Sequence, residues 1–251
     1  MVLGDFVAMN TSACYNYGVE LAVRYPLNFL KMARQSDDID SFDDSKALTG
    51  LVLGAGAGRA VNAGLGALAA GGAALERRLT PEDFYVGLEG ALRKGLKVPT
   101  NVGVAYGPIN PVQSSFSSLF NTVVISNKVS PGVLSHELAH AAMNSPLTRA
   151  ATAVGAFGSK MIPISLLAQT ATDPESTATN VLRYGPAVLL APTLLEEGMA
   201  TARGMCALAR IGGGRAALRA LLPMLPAFGT YVAGAATPII GGKIIHHFTK
   251  D

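Results

Sequence analysis

Two long stretches of this chain carry almost no charge, and they limit the folds open to it. Residues 47–74 are rich in Gly and Ala and contain one charged residue, Arg59, and residues 220–242 contain none. An apolar helix of about 20 residues can cross a hydrocarbon core of about 30 Å. Basic residues flank the second stretch, as they flank many membrane helices. We therefore expect a membrane-associated protein, with residues 220–242 as its firmer membrane contact and lipid as a partner.

The overall composition supports the same expectation. The chain is 49% hydrophobic and only 15% charged, which is less charge than a soluble surface usually carries. Its net charge is +3 and no basic run interleaved with aromatic residues occurs, so binding to nucleic acid has no support. The N-terminus lacks a basic region followed by a long apolar core, and no cleavable signal peptide is expected. Cys14 and Cys206 lie far apart and are expected to be free thiols.

The Gly/Ala-rich stretch 47–74 admits two structural interpretations and disfavours a third. Small residues at three- and four-residue spacing let helices approach closely, either in a membrane or in a buried hairpin of soluble helices. Gly54, Gly56 and Gly58 also resemble a dinucleotide-binding loop. The third glycine of that motif would stand at position 59, which is Arg59, so the sequence disfavours a dinucleotide-binding loop.

Cap residues and periodicity predict a chain that is mainly α with a small β element, an α+β fold. Two short stretches of β-branched residues, 101–107 and 121–126, predict strands. Helices are predicted over 16–35, from an N-cap at Thr80 to a stop at Gly95, from an N-cap at Ser130 to Ser145, and over most of 147–210 with a new start at 173–175. An acidic loop is predicted at 35–46, a break at 212–214, and kinks at Pro223, Pro226 and Pro238.

The motif with the clearest chemistry is His-Glu-x-x-His, formed by His136, Glu137 and His140 in the helix that starts after Ser130. Residues four apart on a helix lie on one face, so both imidazoles can bind one ion, and zinc is the metal this pattern suits. Glu137 lies about 100° further round the helix, where its carboxylate can act as a general base on a water molecule. The sequence therefore predicts His136 and His140 as zinc ligands and Glu137 as the catalytic residue.

A catalytic zinc needs a third protein ligand, and the sequence LLEEGMATARG offers two adjacent glutamates. Glu197 shares a helical face with small residues such as Ala200, Thr201 and Gly204, which suits packing against the metal helix. Glu196 shares a face with Arg203 and is expected to form an ion pair. We choose Glu197 as the ligand. His246 and His247 remain an alternative, and Tyr184 and Arg203 are candidates for stabilising an oxyanion.

The segments HELAH and EGMATAR, within residues 79 to about 210, resemble the neutral zinc metallopeptidases of bacterial membranes. More distantly they are similar to the membrane gluzincins that include the prenyl-protein and heat-shock membrane proteases. This resemblance implies that His136, His140 and Glu197 bind zinc and that Glu137 is the base. The wider group often has an aspartate four residues after the glutamate ligand. Here that position is Thr201.

These observations predict three parts of the chain and two possible functions. Residues 1–78 form an N-terminal helical segment, 79–211 a zinc metallopeptidase-like domain that cleaves polypeptides, and 212–251 a C-terminal apolar segment that is a candidate membrane anchor. The alternative is a non-catalytic membrane scaffold or pore in which a metal only connects helices. The interval between His140 and Glu197 must cross a membrane twice or not at all, and we favour a partly embedded helical hairpin. The strand at 121–126 is a candidate sheet edge for an extended peptide or for structure alone.

Overall fold

A computed structural model of the protein describes residues 44–107 and 114–249. The described chain is mainly helical with one small sheet, which confirms the predicted fold class. The elements in chain order are α1 (Asp44–Leu79), α2 (Glu82–Tyr85), α3 (Leu88–Leu96), β1 (Gly103–Gly107), β2 (Ser115–Ser117), β3 (Thr122–Ser126), α4 (Pro131–Met143), α5 (Pro146–Gln169) and α6 (Thr177–Thr249). The helix predicted at 16–35, residues 35–43 of the acidic stretch and Cys14 lie outside the described residues.

Three of the helices are long and apolar enough to span a bilayer: Leu48–Leu79, Pro146–Gln169 and Thr177–Phe248. The first is one helix over the Gly/Ala-rich stretch. The third contains a non-helical residue, Gly213, whose φ of 73° favours glycine because it has no Cβ. The break predicted at 212–214 is thereby confirmed. The helix continues through Pro223, Pro226 and Pro238, where the predicted kinks stay predictions, and its residue with non-helical backbone is Gly213.

The chain divides into two compact units, to which α1, α5 and α6 each contribute. The first unit comprises the described residues 44–62, 153–191 and 232–249 and consists of helical segments. Within it α5 and the start of α6 form an antiparallel hairpin, because Gly158 packs on Leu189 and the Ser165 hydroxyl donates to the Leu182 carbonyl. This is the helical hairpin expected between His140 and Glu197.

Gly54 and Gly241 allow a second close contact within this unit. A Cβ atom added at Gly54 would lie 3.0 Å from the Gly241 Cα atom, so the backbones of α1 and the end of α6 meet directly. The same unit also contains a buried histidine, His246, that is hydrogen-bonded on both ring nitrogens. The Arg183 guanidinium donates to His246 Nδ1 at 2.8 Å, and His246 Nε2 lies 3.0 Å from the Gln169 carbonyl oxygen. The first unit is therefore a helical bundle with a polar group among its apolar side chains.

The second unit comprises the described residues within 63–152 and 192–231 and contains α2, α3, α4 and the sheet. Its core includes Leu92, Val123, Ile125, Leu138 and Leu208, none of which is measurably exposed. The helix predicted from Thr80 to Gly95 is divided here: α2 ends at Tyr85, Gly87 has φ 74°, and α3 begins at Leu88. Thr80 does not cap this helix, since its hydroxyl donates to the Glu76 carbonyl.

The sheet corrects the prediction for residues 121–126. β3 lies between β1, with which it pairs in parallel, and β2, with which it pairs antiparallel. It is therefore a central strand and not the predicted edge. β2 has the sequence SFS, which is too short and too polar to be recognised as a strand from its residues. The edges of the described sheet are β1 and β2.

Candidate metal centre

Helix α4 is fixed at its N-terminus by side chains. The Ser130 hydroxyl accepts the Val133 N–H, and Pro131 stands at the first helical position, as the sequence predicts. Glu76 of α1 is buried, with 1% of its surface exposed, and one of its carboxylate oxygens accepts the Gly132 N–H at 2.9 Å. The Ser130 hydroxyl also hydrogen-bonds to Glu76. These contacts set the position of the turn that precedes His136.

Helix α6 approaches α4 along the small-residue face that the sequence predicts. A Cβ atom added at Gly204 would lie 3.0 Å from the Ser135 carbonyl oxygen, so a larger residue there would separate the two helices. Ala200, on the same face, is completely buried. This close contact brings Glu197 to the two histidines of α4.

The three predicted ligands come together. His136 Nε2 lies 3.1 Å from Glu197 Oε2 and 3.1 Å from His140 Nε2, and His140 Nε2 lies 3.4 Å from Glu197 Oε2. Zinc bound tetrahedrally at about 2.0–2.1 Å holds neighbouring donor atoms about 3.3–3.4 Å apart. The donor atoms thus form a triangle of the size of one tetrahedral face, and the group could hold a metal ion.

Glu137 is placed on a different side of α4 from these donor atoms. Its side chain is 8% exposed and accepts a hydrogen bond from the backbone N–H of Phe116 in β2. Burial raises the pKa of Glu137, and the nearby His136 and His140 oppose this shift. A carboxyl group with a raised pKa is better suited to accept and return a proton near neutral pH than an ordinary surface glutamate.

The outer ring nitrogens of both histidines also have partners. Nδ1 of His136 lies 3.2 Å from the Thr201 hydroxyl oxygen. Nδ1 of His140 lies 3.2 Å from Glu196 Oε1. The predicted ion pair of Glu196 with Arg203 is therefore replaced by a contact with His140. Each histidine directs Nε2 to the triangle and Nδ1 to a neighbour that can fix the ring.

Tyr231 is a further residue of this site that the sequence did not single out. Its side chain hydrogen-bonds to Glu197. The sequence feature that could have identified Tyr231 is its hydroxyl group inside the uncharged stretch 220–242. The other proposed residues lie elsewhere: His246 contacts Arg183 and Gln169 in the first unit, and the exposed His247 ring packs on Phe248.

The two candidates for oxyanion stabilisation are not part of the described triangle. Tyr184 belongs to the first unit and is 46% exposed. Arg203 is an exposed residue of the second unit and lines a cavity of about 430 Å³ together with Lys97, Cys206 and Arg210. A described hydroxyl that contacts a predicted metal ligand is that of Tyr231, which hydrogen-bonds to Glu197.

The geometry of the ligands is thus consistent with the predicted metal site. Comparisons of the chain with protein-family models, curated proteins and solved structures found no match. The function must therefore be inferred from the site itself.

Proposed function

We propose that this protein is a zinc-dependent, membrane-associated metallopeptidase of the gluzincin type. The proposal rests chiefly on the triangle of His136, His140 and Glu197, whose donor atoms are separated by 3.1–3.4 Å. Glu137 interacts electrostatically with all three of these residues. Among the described residues the group has three protein donors, and catalytic zinc sites characteristically have three protein ligands and an open fourth position. A structural zinc site usually has four protein ligands, so this count favours the enzyme over the scaffold.

A zinc ion bound there would supply Lewis-acid chemistry, acidifying a water molecule and polarising a carbonyl group. His136, His140 and Glu197 would hold the ion through Nε2, Nε2 and Oε2. Glu137 would accept a proton from the attacking water and deliver it to the leaving amine nitrogen. Burial of Glu137 supports this role, because a buried carboxylate is not solvated by bulk water and is oriented by the Phe116 N–H.

The sheet suggests how an extended polypeptide would reach Glu137. β2 is an edge strand, and its Phe116 N–H donates to the Glu137 carboxylate. A peptide that added to this edge would form backbone hydrogen bonds beside the base. Backbone recognition of this kind tolerates many side chains, which suits a peptidase. In this proposal β2 takes the role that the sequence assigned to residues 121–126.

The proposed location follows from the three apolar helices. Because α5 and the start of α6 form an antiparallel hairpin, an embedded hairpin would keep His140 before it and Glu197 after it on one side of a bilayer. Resistance of the native protein to extraction by alkaline carbonate, and release by detergent, would support this part of the proposal. Release by carbonate alone would contradict the membrane assignment without bearing on the metal site.

The decisive experiment compares zinc content with hydrolysis. Wild-type protein purified in detergent should hold one equivalent of zinc and cleave a fluorescently labelled unfolded protein. Glu137→Gln should retain zinc and lose about 10²- to 10⁴-fold in rate, because proton transfer by a positioned base contributes a factor of that size. His136→Ala and Glu197→Gln should lose zinc and activity together.

Two outcomes would reject the proposal. If the wild-type protein holds no zinc when one equivalent is supplied, the three residues do not form a zinc site. A wild-type protein that holds zinc but has the same negligible hydrolysis as Glu137→Gln would support the non-catalytic scaffold. Glu82→Gln is the matched control, since Glu82 is an exposed residue of α2 and should affect neither measurement.

A further inference from the structure

Two adjacent glutamates contact opposite nitrogens of one imidazole. Glu197 Oε2 lies 3.4 Å from Nε2 of His140, and Glu196 Oε1 lies 3.2 Å from Nδ1 of the same ring. Both carboxylates are largely buried, with side-chain exposures of 13% and 15%. The Glu-Glu dipeptide therefore encloses His140 from its metal side and from its outer side.

The second oxygen of Glu196 is held separately. The Thr152 hydroxyl donates to Glu196 Oε2 at 2.8 Å. Thr152 lies on α5, and the same hydroxyl is 3.0 Å from the Thr148 carbonyl one turn earlier. With one oxygen on His140 and the other on Thr152, the Glu196 carboxylate cannot rotate without breaking a hydrogen bond.

This arrangement sets the direction in which each nitrogen of His140 points. Nδ1 faces a carboxylate oxygen of Glu196, which can accept a hydrogen bond from the ring N–H. Nε2 faces Glu197 and His136, where a metal ion would bind. A negative outer partner also makes the ring a stronger donor to a metal.

We propose that Glu196 is a positioning residue for the metal site: it orients His140 through Nδ1, and Thr152 fixes Glu196. This inference depends on the metal site of the proposed function and adds a residue to it. The role differs from that of Thr201, which contacts the other histidine, His136. Glu196, which contacts the outer nitrogen of His140, is the immediate sequence neighbour of Glu197, a second predicted ligand.

Glu196→Gln tests the proposal because it retains size and removes the negative charge. We expect its zinc dissociation constant, measured by competition with a chromophoric chelator, to rise about 10- to 100-fold, the usual effect of losing an outer partner. The visible spectrum of the Co²⁺-substituted protein should shift, because the orientation of one ligand ring changes. Glu196→Asp, which keeps the charge, should recover part of the affinity.

A double-mutant comparison separates positioning from a general loss of stability. In a Thr152→Val background, Glu196→Gln should weaken metal binding by a smaller factor, because Thr152 acts through Glu196. In a Thr201→Val background the full factor should persist, because Thr201 contacts the other histidine, His136. Equal effects in both backgrounds, or wild-type affinity in Glu196→Gln alone, would overturn the proposal.

Thr152→Val provides a test that does not depend on the folding of the Glu196 variants. Loss of one supporting hydrogen bond should weaken zinc binding about 2- to 10-fold. Thr49→Val is the matched control, since the Thr49 hydroxyl donates to the Ser45 carbonyl in α1 and should leave the zinc dissociation constant unchanged. Equal zinc affinity in the two threonine variants would contradict the role of Thr152. If the wild type itself binds no zinc, the proposed function fails before this inference is reached.

Discussion

The Thr201 hydroxyl oxygen lies 3.2 Å from Nδ1 of His136, on the side of the ring opposite to Glu197. Thr201→Val should therefore weaken zinc binding about 2- to 10-fold, the effect of losing one neutral hydrogen bond. Thr201→Asp should restore or exceed wild-type affinity, since a carboxylate is a stronger acceptor for the ring N–H. Chelator competition measures both. A Thr201→Val protein with unaltered zinc affinity would show that the hydroxyl does not support His136.

The proton on His140 predicts how zinc binding depends on pH. Burial lowers the pKa of His140, but hydrogen bonds to Glu196 and Glu197 outweigh burial and raise the pKa to about 10 in the metal-free protein. Zinc must displace the proton on Nε2 while Nδ1 keeps its hydrogen toward Glu196, so binding at pH 7 should release protons to the buffer, and affinity should increase as the pH rises toward 10. Titration calorimetry in two buffers of different ionisation enthalpy measures the release. Identical heats in both buffers would contradict the prediction.

The same pKa sets the pH dependence of metal-free stability. The pKa of His140 in the folded protein lies above its unfolded value of about 6.5. Protonated His140 therefore stabilises the metal-free fold fully below about pH 6.5, and this contribution disappears as the pH rises through about 10. Thermal unfolding of chelator-treated protein across this range should show the loss. The zinc-loaded protein should not show it, because the metal takes the place of the proton.

Glu76 should contribute to stability through the N-terminus of α4. Its carboxylate accepts the Gly132 N–H at 2.9 Å in a buried position. Glu76→Ala leaves that buried donor without its partner and should reduce the free energy of unfolding by about 1–3 kcal/mol. Glu76→Gln, which can still accept the bond, should lose less. Thermal unfolding in detergent compares them with Glu82→Ala as an exposed control, and equal melting temperatures in all three variants would argue against this role.

Close helix packing in the first unit predicts a strong effect of size at Gly158. A Cβ atom added there would lie 2.8 Å from the Leu189 Cβ atom, whereas one added at Gly185 would meet nothing within 4 Å. Gly158→Val should therefore destabilise the protein by about 1–3 kcal/mol through overpacking. Gly185→Val controls for the change of helix propensity. Equal losses of melting temperature in the two variants would mean that the α5–α6 contact is not tight.

Local signals predicted the metal helix well. Ser130 and Pro131 identify the start of α4, and the spacing of His136 and His140 places both rings on one face regardless of the rest of the fold. The small residues Ala200 and Gly204 correctly indicated which side of α6 meets α4, and this selected Glu197 as the third ligand.

Contacts between distant parts of the chain were not predictable in this way. The helical face of Glu196 predicted an ion pair with Arg203. Its partners are instead His140, 56 residues earlier, and Thr152, 44 residues earlier. β3 was identified as a strand, but its central position depends on β2, whose SFS sequence carries little strand propensity. The division of α2 from α3 depends on the backbone of Gly87, which no periodicity reveals.

The hairpin of α5 and α6 occupies most of the chain between His140 and Glu197, which are 57 positions apart. The entropy of closing a loop grows only with the logarithm of its length, by about 0.6 kcal/mol for each doubling. The hairpin can therefore be lengthened or shortened by whole turns with little effect on ligand assembly, provided that its two ends stay together. The length of the hairpin is consequently independent of the predicted metal ligands. A longer or shorter hairpin could match a thicker or thinner bilayer while His136, His140 and Glu197 stay together.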